Sequence, residues 1–174
     1  MILLLLACQT ATEDSAGNPA GREPCGLCDG ACYETWEPNA SREHVSGDVD
    51  YAQEPPTSGD HNACWAAWGA HTEQVAAENW VHNLEHGGVV FLYDCPDGSC
   101  PDEVTQLEDY AATLPEGRWV LSPYEPAPLP YSVVSWEYEL ELGCFDLPVM
   151  QDFFDLHVGH GPENTISSPS AECM

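Results

Sequence analysis

Hydrophobic residues fall into clear periods only in the second half of the chain. Glu78 to His86 predicts a short helix ended by Gly87, the residue type that takes a left-handed C-cap most cheaply. Val89-Val90-Phe91-Leu92-Tyr93 is an unbroken apolar run, the pattern of a strand buried on both faces. Pro101 to Leu114 sets Val104, Leu107, Ala111 and Leu114 on one helical stripe, with acids at the start, where the helix dipole favours them. Trp119-Val120-Leu121 reads as a strand, and after the proline-rich Pro123 to Pro130 so does Tyr131 to Leu142, alternating as Val134, Trp136, Tyr138, Leu140 and Leu142. A last helix follows Asp146 as N-cap, with Pro148 in its first turn and Met150, Phe153, Phe154 and His157 on its apolar face. Residues 44–77 show no such period. The order predicts an α+β domain: a small, mainly antiparallel sheet, two or three helices and an irregular N-terminal half.

The ends divide the chain further. Residues 1–8 read as a lipoprotein signal segment, because Leu5-Leu6-Ala7-Cys8 matches the bacterial lipobox and the apolar run is far shorter than the ~20 residues of a membrane span. No basic residue precedes the leucines, which departs from the usual pattern. Residues 9–42 are acidic and rich in Pro and Gly, a flexible tether carrying Cys25, Cys28 and Cys32. Residues 43–166 form the domain and 167–174 a tail. Setting Cys8 aside, the nine cysteines leave an even number, as a disulfide framework in an exported protein requires. Cys95 and Cys100 flank a Pro-Asp-Gly turn and are expected to pair; the others are left open. The expected location is therefore outside the cytosol, periplasmic or on the cell surface, with the membrane reached through lipid on Cys8.

Thirty acidic residues against Arg22, Arg42, Arg118 and no lysine give a net charge of −27. Nothing here could neutralise phosphates, which excludes a nucleic-acid partner. Scattered acids serve solubility, and their field also draws cations.

The candidate chemistry lies in the histidines. On a helix, His82 and His86 stand one turn apart on one face, a spacing that lets one metal ion take a nitrogen from each. His61 follows a Pro-Pro-Thr-Ser-Gly turn able to bring a third ring. The fourth donor is sought at the C-terminal end, among Met150, His157 and His160. Met150 and His157 share the last helix's apolar face, where core packing is the competing reading, and Met with His is a soft, copper-like set. His44 and His71 lack motif support and are expected at the surface. Trp65, Trp68 and Trp80 are expected to pack the irregular half onto the sheet. His82-Asn-Leu-Glu85-His86 also fits the inverted zinc-peptidase pattern, in which Glu85 is the catalytic base; otherwise Glu85 supports a ligand imidazole by a hydrogen bond. No serine or cysteine nucleophile is suggested.

Pro55-Pro56-Thr57-Ser58-Gly59-x-His61, Trp65-x-x-Trp68-Gly69, Glu78-Asn79-x-Val81-His82-Asn83-Leu84-Glu85-His86-Gly87-Gly88-Val89-Val90 and His160-Gly161-Pro162-Glu163 together resemble the bacterial DUF3105 family over roughly residues 44–165. The resemblance implies an exported or membrane-attached domain and assigns no activity. Where the family commonly has proline before the turn histidine, this chain has Asp60. The resulting expectation is a lipoprotein that binds copper, with zinc as the alternative ion, for binding, storage or delivery. A zinc hydrolase and a structural or partner-binding lipoprotein are the competing readings.

Overall fold

The computed structural model describes residues 32–36, as backbone, and 41–165. Cys8 with its signal segment, residues 9–31 of the tether with Cys25 and Cys28, and the tail with Cys173 lie outside the described residues. In chain order the elements are β1 (Cys32–Trp36), β2 (His44–Val45), β3 (His61–Asn62), β4 (Gly69–Ala70), α1 (Ala77–Glu85), β5 (Val89–Tyr93), α2 (Pro101–Ala111), β6 (Trp119–Pro123), β7 (Tyr131–Ser135), β8 (Tyr138–Leu142) and α3 (Leu147–His157). Six strands form one sheet in the order β1-β8-β7-β5-β6-β4, and β2 and β3 form a separate pair. The β1–β8, β8–β7 and β7–β5 pairings are antiparallel, whereas β5–β6 and β6–β4 are parallel. The domain is α+β and mainly antiparallel, as the sequence predicts. Strand β1 comes from the stretch read as a tether and closes one edge of the sheet.

Strand β5 shows why an unbroken apolar run suits the centre. Val89 and Phe91 face one core with Leu107 of α2 and Met150, Phe153 and Phe154 of α3. Val90 and Leu92 face a second core with Trp80, Val81 and Leu84 of α1. Alternate residues of a strand point to opposite faces, so both must be apolar when both faces are covered. Helices α2 and α3 thus lie on one side of the sheet and α1 on the other.

Tyr131 to Leu142 is not one strand but a hairpin. Trp136 and Glu137 form its two-residue turn, with Ser135 opposite Tyr138 and Glu137 at φ +68°. The turn carries neither Gly nor Asn, so the alternation reads straight through it. The fold-back also exchanges faces: Val134 and Trp136 join the α1 core, while Leu140 and Leu142 join the α3 core.

Helix α3 begins as its sequence dictates, with the Asp146 side chain accepting from Val149 N–H and Pro148 in the first turn. Cys95 and Cys100 are disulfide-bonded to each other with Cα atoms 5.5 Å apart, and Cys64 and Cys144 each take part in a disulfide as well. Among the described residues no helix is long and apolar enough to cross a membrane.

Candidate metal centre

Helix α1 is buried on every side, from Trp80 through Glu85. Its apolar side meets the sheet, and its polar side is covered by the irregular N-terminal half. Polar groups placed under cover must be matched by partners, because an unmatched one costs several kcal/mol, about 1–3 in protein mutants. Asn83 shows the principle: its side chain accepts from Ala66 N–H at 2.8 Å and donates to Ala66 O at 3.0 Å. Asn79 donates to Cys64 O at 2.6 Å. These amides hold the covering chain in place over the histidines.

The helix ends in a Schellman cap. Gly87 N–H donates to Leu84 O at 2.9 Å and Gly88 N–H to Asn83 O at 2.8 Å, with Gly87 at φ +79°. Gly88 is required for another reason: a Cβ there would lie 2.6 Å from Cζ3 of Trp68.

Three imidazoles meet here, His61 and His82 buried and His44 half exposed. His44 of β2 lies opposite His61 of β3 in the parallel pair, and His82 comes from α1. Ring centroids are 5.0 Å apart for His44–His61 and 4.8 Å for both His44–His82 and His61–His82. His61 Nδ1–H donates to Gly59 O and His82 Nδ1–H to Asn62 O, each at 2.8 Å. A carbonyl only accepts, so each of these rings carries a proton on Nδ1 and leaves Nε2 for other partners. Facing His61 Nε2 at 3.1 Å is Oε2 of Glu85, which lies 3.9 Å from His44 Nε2. A ring nitrogen and a carboxylate oxygen at that separation require a proton or a cation between them.

The donor atoms of His44, His61, His82 and Glu85 all lie within 4.8 Å of one another, a group that could hold a metal ion. Metal–nitrogen bonds of about 2.0–2.1 Å in a tetrahedron put donors about 3.3 Å apart, so donors spread over as much as 4.8 Å would have to draw together to share one ion. The backbone carbonyls that hold the rings by Nδ1 are the supports such ligands need. His86 lies beside the group, with its Nε2 at 3.1 Å from that of His82, and Trp65 packs edge-on against both rings.

Asp60, the departure from the family pattern, fastens His44 to this place. Its carboxylate accepts from Ser41 Oγ–H and from Glu43 N–H, the latter at 3.0 Å, while His61 N–H donates to Glu43 O at 3.1 Å. The Ser41 bond is the largest cause of an Asp60 pKa below the usual carboxylate value. Asp60→Ala is therefore expected to free residues 41–45 and weaken metal binding by about tenfold, with the thermal transition little changed. Calorimetric titration checks this, and an unaltered affinity would deny Asp60 that role.

Burial, outweighing the hydrogen bond to Asn62, pushes His82 down to about 4, with the neighbouring imidazoles acting in the same direction. Burial lowers His86 too, against the pull of Glu163 and Glu85. The unfolded chain takes up these protons near pH 6.5, so it binds more protons than the folded chain from there down to about 4. Stability present above about pH 6.5 is lost as the pH falls toward about 4. With a chelator present, the melting temperature is expected to drop from pH 6.5 to 5, less steeply in His82→Asn. A flat profile would contradict the burial account.

The sequence-derived candidates divide. His61 and His82 are in the group, His86 is beside it, and Glu85 is a donor within it. Met150 lies in the core on the far face of the sheet, and His157 packs between Tyr138 and Phe153 with ring centroids 4.4 and 4.3 Å away. His160 is exposed and belongs to neither candidate metal group among the described residues. The place sought for a fourth donor is taken by His44 and Glu85. His44 is exposed, as expected of a surface residue, and the parallel pairing of residues 44–45 with 61–62 sets it beside His61. His71, also expected at the surface, bonds Ala67 O at 2.8 Å, away from the group.

The fold and site define an α+β domain with a histidine–glutamate cluster that could hold a metal ion. Residues 44–170 match the family described as "Protein of unknown function (DUF3105)", and the chain belongs to that family. No curated protein and no solved structure matches it.

Proposed function

We propose that this protein is an exported, lipid-anchored binder of a divalent first-row transition ion, which it stores or hands on. The carrying observation is His61 Nε2 facing the Glu85 carboxylate at 3.1 Å, with donor atoms of His44 and His82 all within 4.8 Å of these two and of each other. A proton on His61 satisfies one pair, whereas a metal ion satisfies all four donors at once.

Three imidazoles and a carboxylate suit zinc and copper(II). Copper(II) is expected to bind more tightly because it tops the divalent affinity order. With Met150 on the far side of the sheet, no thioether among the described residues supports copper(I). His44 is the half-exposed ligand on a two-residue strand, a natural point of ion exchange. A hydrolase reading needs Glu85 free beside a bound water; its contact with His61 favours a ligand role instead. Export is supported by the Leu5-Leu6-Ala7-Cys8 lipobox and by disulfides, which persist outside the reducing cytosol.

Calorimetry with zinc and copper(II) on metal-stripped protein tests the reading. Tight binding that disappears in His61→Ala/His82→Ala is the expected result. Heat unchanged by that double substitution removes the site, and no binding by the wild type removes the function.

A further inference from the structure

The loop after α3 is fastened to the end of α1 more closely than a connection requires. Gly159 N–H donates to Gly87 O at 2.8 Å and Glu163 N–H to Glu85 O at 3.0 Å. Gly161 sits so near that a Cβ would lie 2.3 Å from both Glu85 O and Gly87 N. The outcome is a carboxylate delivered to a chosen place: Glu163 Oε2 stands 3.4 Å from His86 Nε2.

Among the described residues, Glu85, His86 and Glu163 make a second group whose donor atoms lie within 4.8 Å of one another, and it shares Glu85 with the first. The Nε2 atoms of His82 and His86 approach to 3.1 Å across the two groups.

We infer that the centre is dinuclear: Glu85 bridges one divalent ion held with His44, His61 and His82 to a second held with His86 and Glu163. This rests on the metal-binding reading above and adds the second ion. A carboxylate has two oxygens, and ions about 3.5–4 Å apart are the usual span of such pairs. The second ion has fewer protein donors, and Glu163 is 48% exposed, so it binds more weakly. A cavity of about 350 Å³ lined by Ser41, Arg42, Glu43, His44, Glu85 and Glu163 gives room for the waters that complete its shell. Arg42 stands 3.7 Å from Glu85 Oε1 and is half exposed, so it withdraws as that oxygen takes the second ion.

The test uses the full chain, stripped of metal and titrated with zinc and separately with copper(II). Two ions per chain are expected, the second weaker. Glu163→Gln is expected to weaken the second by at least about tenfold and leave the first within about twofold, and Arg42→Gln to strengthen the second. With copper(II), the paramagnetic signal is expected to grow to one equivalent and then fall, because the shared carboxylate couples the two spins. One ion per chain, a second ion indifferent to Glu163→Gln, or two uncoupled copper signals would overturn the dinuclear centre and spare the mononuclear one. No ion at all would remove both.

Discussion

Glu85→Gln is expected to abolish tight metal binding while keeping the ion-free fold within about 1 kcal/mol of its original stability. The two halves of this result have one origin. His61 Nδ1–H is committed to Gly59 O, so Nε2 is left to face Glu85 Oε2 at 3.1 Å. A glutamine amide at that position donates a hydrogen bond to Nε2 and satisfies the ring without any cation. The same change removes the charged ligand shared by both candidate ions. Saturating metal is expected to raise the melting temperature of the wild type, since binding at a hundred times Kd would contribute about 2.7 kcal/mol. The variant is expected to melt at one temperature with and without metal. Equal metal-induced shifts in the two proteins would show that Glu85 is not a ligand.

The largest loss of stability is expected from Gly161→Ala, roughly 3 kcal/mol. Its added Cβ would fall 2.3 Å from Glu85 O, 2.3 Å from Gly87 N and 2.5 Å from Leu84 O. All three are backbone atoms of the α1 cap, so no side chain can move aside. Relief requires the loop to lift, which breaks the bonds from Gly159 to Gly87 and from Glu163 to Glu85. Denaturant unfolding of ion-free protein measures this loss directly. A change below about 0.5 kcal/mol would mean the loop is not seated as described. Gly98→Ala is the control, because a Cβ there meets nothing within 4 Å; its cost is limited to the backbone strain of φ +69°.

Much of the local structure was legible in the chain, for reasons that stay local. The double-sided burial of β5, the Gly87 cap, the Asp146 cap and the Cys95–Cys100 turn each depend on a few adjacent residues. The hairpin was not legible: Trp136-Glu137 carries no turn residue, and Val134 and Leu140 keep the same parity although they point to opposite cores. The site was half legible. The i, i+4 spacing of His82 and His86 does bring their Nε2 atoms to 3.1 Å, yet the larger donor group joins His82 to His44, His61 and Glu85, while His86 also meets Glu163.

What the sequence by itself determined is periodicity and covalent neighbourhood: the class of fold, the caps, the burial of β5, the family, and His61 and α1 as the places to look for candidate donors. Which donors converge was decided by tertiary structure alone. His44 reaches His61 through a strand pairing across 17 residues, held by Asp60, and Glu163 reaches His86 through a loop seated on the α1 cap. Residues far apart along a chain become ligands of one ion only where folding closes the distance. No periodicity records that closure, because its energy comes from backbone hydrogen bonds and close glycine contacts between segments that share no pattern.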